Sequence, residues 1–432
     1  MLDPTLANRR EGLDRLGQFI PRAGDRYART RNYDFGPQNR ANVSGLSPWI
    51  RMRLLRESEV IAAAVGVHGT KDARKFVEEV CWRTYFKGWL ELRPSVWSDY
   101  RRSLGRLQDE LEADSDLRQA WRQALDAGTG IDCFDAWVRE LIEHGYLHNH
   151  TRMWFASIWI FTLGLPWQLG ADLFLRHLLD GDPASNTLSW RWVAGLHTRG
   201  RTYLARRDNI RRYTGGRHDP GDRLADDAPA LDEPPPPGPL RLDTLAPPPE
   251  AGPLTLLLTD EELHPESLGL SPDRVEFVTA FSSAPRRSVF GTAAEVVAFT
   301  QAGLADGLQR SAEHFGATVA PPHPGPTRLE ALADQVAAAG LTNVVMAWPP
   351  VGPGRAPAEQ VASSLRARGL EVWPIRRPWD DALWPVARSG YFGFRKRALP
   401  RALELAAEDT ATGASETMRP AAGAAERAGA RR

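Results

Sequence analysis

"LHNHTRMWFASIWIFTLGLPWQLGADLFLRHLLDGDPASNTLSWRW" fills residues 147–192, and its reading decides the fold. In "GADLFLRHLLDGD" apolar residues recur every three or four positions, the period of a helix with one buried face. "DCFDAWVRELIEHGYL", just upstream, repeats the pattern. Alternation of the strand type is scarce here, so residues 5–217 predict an all-α bundle. The two histidines His148 and His150 raise a metal site. On a helix they stand roughly 200° apart and cannot chelate one ion. His144 and His148 have a workable four-residue spacing, but no third ligand stands at an obvious position, and no metal is assigned.

Other residues in the stretch matter more. Asn149, Arg152 and Met153 sit at i, i+3 and i+4 and share a face. A surface arginine beside a core methionine is one reading. A buried guanidinium needs an anion, because an unpaired interior charge is very costly. Asp180 and Asp182 flank a glycine about thirty residues later. A calcium loop would need a later glycine and a closing glutamate. A capped turn, with Asp182 or Ser185 as the cap, is the other reading. Neither explains Trp190 and Trp192 directly after the polar loop.

The chain has 432 residues and a formal net charge of zero. Overall charge therefore neither demands nor excludes a polyanionic partner. Cys81 and Cys133 are the only cysteines, too few for a four-thiolate zinc site or a cubane cluster. No apolar run reaches the roughly 18–20 residues of a membrane span, and the N-terminus lacks a signal-peptide pattern. The expectation is a soluble cytoplasmic protein.

The proline-rich "LDEPPPPGPLRLDTLAPPPEAGP" (231–253) reads as a semi-rigid linker. Beyond it, "LTLLLT", "VEFVTAF", "ATVA", "NVVMAW" and "EVWPI" alternate with helical stretches, which predicts a parallel sheet covered by helices. The expected organisation is a helical domain over 1–217, a linker over 218–253, a Rossmann-like α/β domain over 254–400, and a disordered tail over 401–432. "WPPVGPGRAP" (348–357) lacks a nucleotide fingerprint and reads as a turn.

Four ordered blocks carry a resemblance: "YDFGPQNRANVSGLSPWI" (33–50), "EEVCWRTYFKGWL" (78–90), "GTGIDCFDAWVRELIEHGYL" (128–147) and the opening stretch. Together they resemble the FAD-binding domain of DNA photolyases and cryptochromes, over about half the chain. The resemblance implies non-covalent FAD. Tyr33, Ser44 and Ser47 match positions that hold its diphosphate, although Val43 stands where the family usually has Thr. Arg152 and Asp180 match an ion pair beside the isoalloxazine, Asp182 a carboxylate at the ring's polar edge, and Asn186 the residue facing its central nitrogen. Trp82 and Trp192 match the walls of a lesion pocket and Met153 its floor. Glu79 and Asn149 match its polar groups, and Arg83 lies beside Trp82 on the DNA side. Trp190 and Trp167 match the first two rings of a photoreduction chain. The third has no counterpart, and Trp121, Trp154 or Trp159 could replace it.

"RWVAGLHTRGRTYLARRDNIRRYTGGR" (191–217) holds eight arginines against one acid. It includes Arg199 and Arg201 and reads as a phosphate-tracking ridge. The resemblance thus implies light-driven repair of cyclobutane pyrimidine dimers in DNA by electron transfer from reduced flavin, the activity of a deoxyribodipyrimidine photolyase. A cryptochrome-like photosensor signalling through the C-terminal half is the alternative. Relatives place the α/β domain first, whereas here it follows. It could dock as an antenna-domain analogue, bind a second, unidentified antenna chromophore, or brace the fold. The residues imply no oligomeric state.

Overall fold

In the computed structural model of the chain, residues 3–323 and 329–411 are described. From the start to about residue 213 every regular element is helical. The helix Asp132–His144 stops at Gly145, whose φ of +61° suits a residue without a Cβ. A Cβ there would meet the Leu179 side chain at 2.8 Å. That close approach is sealed by Leu179 N–H donating to Gly145 O at 2.9 Å. It brings the start of the helix Asn149–Ser157 beside Asp180. A π-helical turn, Ile158–Thr162, follows. Helices Trp167–His177 and Pro183–Val193 pack against each other. Gly170 permits this, since a Cβ would lie 2.3 Å from the Trp190 ring.

Residues 221–253 contain no helix or strand, as the prolines require. The segment is nonetheless pinned to the helices. Glu233 accepts from Trp167 Nε1 at 2.7 Å and pairs with Arg191 at 2.9 Å. Leu240 N–H donates to Leu92 O.

Five parallel strands follow: β1 Leu254–Thr259, β2 Val275–Phe281, β3 Thr318–Val319, β4 Asn343–Ala347 and β5 Glu371–Ile375. They are ordered β3-β2-β1-β4-β5. All of β1 is buried. Its Leu254, Leu256 and Leu258 join an apolar core continuous with that of the helical half. Leu257 faces a second core with Leu332, Val361 and Leu365 of the covering helices. This is the two-residue period of a strand covered on both faces. The strand order reverses between β1 and β4, the position where open α/β sheets form a crevice at their carboxyl ends.

The expected disordered tail from residue 401 is corrected in part. The helix Tyr391–Ala411 runs through Pro400 and packs on the helices Glu57–Asp72 and Arg74–Glu91 of the helical half. Ala402, Leu405 and Ala406 are buried, so small side chains here meet a partner surface. Residues 412–432 of that expectation lie outside the described residues. No described helix is long and apolar enough to cross a membrane.

Candidate functional site

The centre of the site is the Arg152–Asp180 pair that the family resemblance implies. Arg152 Nη2 donates to both oxygens of Asp180, at 2.8 and 3.0 Å, and its Nε donates to Leu147 O at 2.9 Å. Ser47 Oγ donates to the same carboxylate at 2.5 Å. Two segments separated by more than a hundred residues therefore converge on one anion. Burial works against the Arg152 charge, but Asp180 outweighs it and raises the guanidinium pKa further. The Arg152 side chain keeps 24% of its surface accessible, against 5% for Asp180. Ser44, Ser47, Tyr146, Met153, Trp82 and Arg83 are also half-buried.

Asp182 caps the helix Pro183–Val193 by accepting from Ser185 N–H at 2.7 Å. It also faces Arg83 at 3.1 Å and Lys87 at 3.6 Å. Burial opposes its ionisation, but these cations hold its carboxyl well below the usual carboxylate range. Asn186 Nδ2 donates to Ala171 O at 2.8 Å, which fixes the amide's orientation. Lys87 Nζ also pairs with Glu261 at 2.7 Å, so the end of β1 reaches this carboxylate through one ammonium.

The expected substrate-facing residues are dispersed around this corner. Glu79 pairs with Arg31 at 2.8 Å and with Lys75 at 3.6 Å. Asn149 is exposed and Met153 half-buried. Trp192 stacks on Tyr203 at 5.7 Å. Trp82 stacks on Tyr391, with centroids 3.4 Å apart and planes 9° apart. Tyr33 packs with Phe35 and Tyr213. The histidines of the opening stretch are engaged by backbone. His148 Nε2 donates to Arg31 O and its Nδ1 accepts from His150 N–H. Burial pushes the His148 imidazole down to about 4, so it is neutral near pH 7. His150 bonds Asn32 O and the Tyr203 hydroxyl.

The tryptophans fall into four clusters. Trp190 meets Trp159 at 6.3 Å, edge to face, together with Phe155 and Phe174. Trp167 stacks on Tyr100 at 5.6 Å, and Tyr100 lies 5.3 Å from Trp97. Trp154 stacks on Trp137, and Trp121 meets Phe290. The arginine ridge is smaller than its composition suggests. Arg191 is spent on Glu233, Arg207 on Asp219 and Asp222, and Arg217 on Asp34. Arg199, Arg201, Arg206, Arg211 and Arg212 remain exposed.

Sequence reasoning missed Arg31, Lys87, Glu261 and Tyr391. Lys87 had a signal, since it stands four residues after Arg83 on one helix face. Glu261 lies in an acidic run at a strand end. Tyr391 carried none.

Hydroxyls and cations that remain partly accessible suit the acceptor-only oxygens of a dinucleotide phosphate. On that chemistry the corner fits a flavin dinucleotide. The crevice at the β1/β4 reversal does not fit a second chromophore. It is lined by Lys87, Glu91, Asp182, Pro183, Glu261 and Val351 and leaves no room for even a water-sized sphere. Small-molecule sites usually enclose about 300–1,000 Å³. The Asp182–Ala184 turn and the Glu91–Arg355 pair, 2.8 Å long, close it from the helical side.

Residues 76–222 match the family model described as the FAD binding domain of DNA photolyase. A deoxyribodipyrimidine photo-lyase of Streptomyces griseus is 37% identical over 157 residues, covering 36% of this chain and 33% of that protein. One from Thermus thermophilus is 32% identical over 209 residues, covering 48% and 47%. The chain thus spans between a third and a half of the length of these two relatives. A bacterial class III photolyase from Agrobacterium tumefaciens superposes with a TM-score of 0.39 at 27% identity, over 48% of this chain and 44% of that one. By the family match, residues 76–222 resemble a flavin-binding domain of the photolyase type. The likeness to DNA photolyases is carried by that stretch, about a third of the chain.

Proposed function

We propose that this protein binds FAD non-covalently in the helical half and performs light-driven repair of cyclobutane pyrimidine dimers in DNA. The observation that carries this reading is the Ser47–Asp180–Arg152 corner, within a chain whose residues 76–222 match a photolyase FAD-binding domain. Bound flavin, once reduced, would supply the light-driven electron chemistry. The chain's residues position, pair and exclude water. Ser44 offers its hydroxyl to phosphate, while Ser47 spends its proton on Asp180. Arg152 keeps a cation beside the pigment while Asp180 satisfies it. Asn186 presents a fixed neutral amide, and Asp182 stays ionised because Arg83 and Lys87 flank it.

On the substrate side a flipped dimer needs aromatic faces and a few polar groups. Trp82, one face of which Tyr391 covers, and Trp192, stacked on Tyr203, offer their remaining faces, while Glu79, Asn149 and Met153 complete the lining. Arg199 and Arg201 offer phosphate contacts on the exposed ridge. Illumination of reduced protein with an ultraviolet-damaged oligonucleotide should remove dimers relative to a dark control. An equal dimer count in both arms contradicts the repair reading.

A second reading, a flavin photosensor, draws support from the Asp182–Lys87–Glu261 link. It joins the flavin-edge carboxylate to the end of β1 and provides a physical path into the α/β half. Under that reading, illumination changes the protease sensitivity of residues 254–400 without dimer loss.

A further inference from the structure

The segment "RSGYFGFRKR" (388–397) lies outside the matched flavin domain, yet it meets the candidate pocket. Its Tyr391 is buried against Trp82 in a parallel stack, and the Tyr391 hydroxyl donates to Glu78 O at 2.6 Å. The next residue, Phe392, is 75% exposed, the most exposed of the large apolar side chains among the described residues. A lone exposed apolar residue is ordinary. This one is embedded among cations. The ten residues carry Arg388, Arg395, Lys396 and Arg397 and no acid. Arg388, Lys396 and Arg397 are exposed, and the Arg395 guanidinium sits 5.5 Å from the Phe392 ring. The acid that meets this segment, Glu78, is buried and already paired with Arg74, Lys75 and Arg395. The rim is therefore net positive, with one aromatic ring projecting from it.

We propose that Arg388–Arg397 is a duplex-contacting wedge beside the lesion pocket. Its cations hold backbone phosphates, and Phe392 stacks into the gap that a flipped base pair leaves. The proposal rests on the repair reading, because it takes Trp82 as a pocket wall. Proteins that unstack a base step commonly insert an apolar side chain there. A ring that stacks on a base contributes about 1–3 kcal/mol, or roughly fivefold to a hundredfold in affinity. Tyr391, locked on Trp82, gives Phe392 a rigid base. The C-terminal helix thereby gains a role that its place after the sheet would not suggest.

The test is equilibrium binding of the full chain, in the dark, to a duplex with one cyclobutane dimer and to the same duplex undamaged. Phe392→Ala should lower the preference for damaged DNA about fivefold or more and leave undamaged affinity and flavin content unchanged. Phe392→Trp should restore the preference. Lys396→Gln with Arg397→Gln should weaken both duplexes alike and reduce the salt slope of log K by about 2. If wild-type protein prefers damaged DNA and Phe392→Ala prefers it equally, the wedge is overturned and the repair reading stands. If wild-type protein has no preference, the repair reading fails and the wedge with it. If Phe392→Ala changes only self-association, a second copy covers the ring and the wedge is again overturned.

Discussion

Arg152 and Arg53 each meet an aspartate far away in the chain, but their surroundings are opposite. Arg53 lies in the seam between the two halves. It pairs with Asp380 through two bonds of 2.6 and 2.8 Å, with Glu262 at 3.0 Å and with Glu57 at 3.4 Å. Its side chain is 6% exposed and that of Asp380 3%. Burial works against its charge, yet the three carboxylates hold its pKa well above the ordinary arginine value. Its backbone has a φ of +54°, a conformation that costs a non-glycine residue about 1–3 kcal/mol. Next to it, Arg51 is sealed against Asp260 and Glu261. Arg152 has one carboxylate and an open side. The same chemistry therefore serves two ends. In the seam Arg51 and Arg53 are closed in by carboxylates and the halves are joined. At the corner one face of the cation is left for a ligand.

That contrast can be broken from the seam side first. Arg53→Met strands the buried Asp380 carboxylate, while Glu262 keeps Arg377 and Glu57 keeps Arg83, and should cost about 3–5 kcal/mol of stability, read from urea unfolding. A cost below about 1 kcal/mol would mean that the seam does not hold the halves together. The next effect comes from Asp172, which accepts from Ser288 Oγ at 2.5 Å across the same seam. Burial pushes its carboxyl up to about 6, from 3.8. Its contribution is thus fullest below about pH 4 and is lost as pH rises through 6. Asp172→Asn should stabilise the protein at pH 8 by about 1–3 kcal/mol, with the gap closing near pH 4. A pH-independent gap would contradict the assignment. The smallest effect on the fold belongs to Glu79→Ala, because the Glu79–Arg31 pair is about one-fifth exposed on each side. Unfolding should shift by no more than about 1 kcal/mol. Flavin content should hold while dimer repair is lost. Unchanged repair removes Glu79 from the pocket.

The corner was legible through the family resemblance, with one physical hint beside it, that a buried guanidinium demands an anion. Arg152 shares a face with Asn149 and Met153, and the two aspartates recur one turn-and-helix later. The strands were equally plain, since runs such as "LTLLLT" have few other homes. The seam was invisible for a physical reason. Arg51 and Asp260 are 209 residues apart, Arg53 and Asp380 are 327 apart, and no local period links them. The arginine ridge misled in part, because acids downstream of it neutralise Arg191 and Arg207. The stack of Tyr391 on Trp82 depends on a helix that returns across the bundle, which local patterning does not encode.

The most direct test compares bound flavin per chain after reconstitution in wild-type protein and in Asp180→Ala. The account predicts close to one FAD per wild-type chain and loss of most of it in the variant, with both proteins folded. Equal occupancy in the two, or a folded wild-type protein that takes up no FAD, would contradict it.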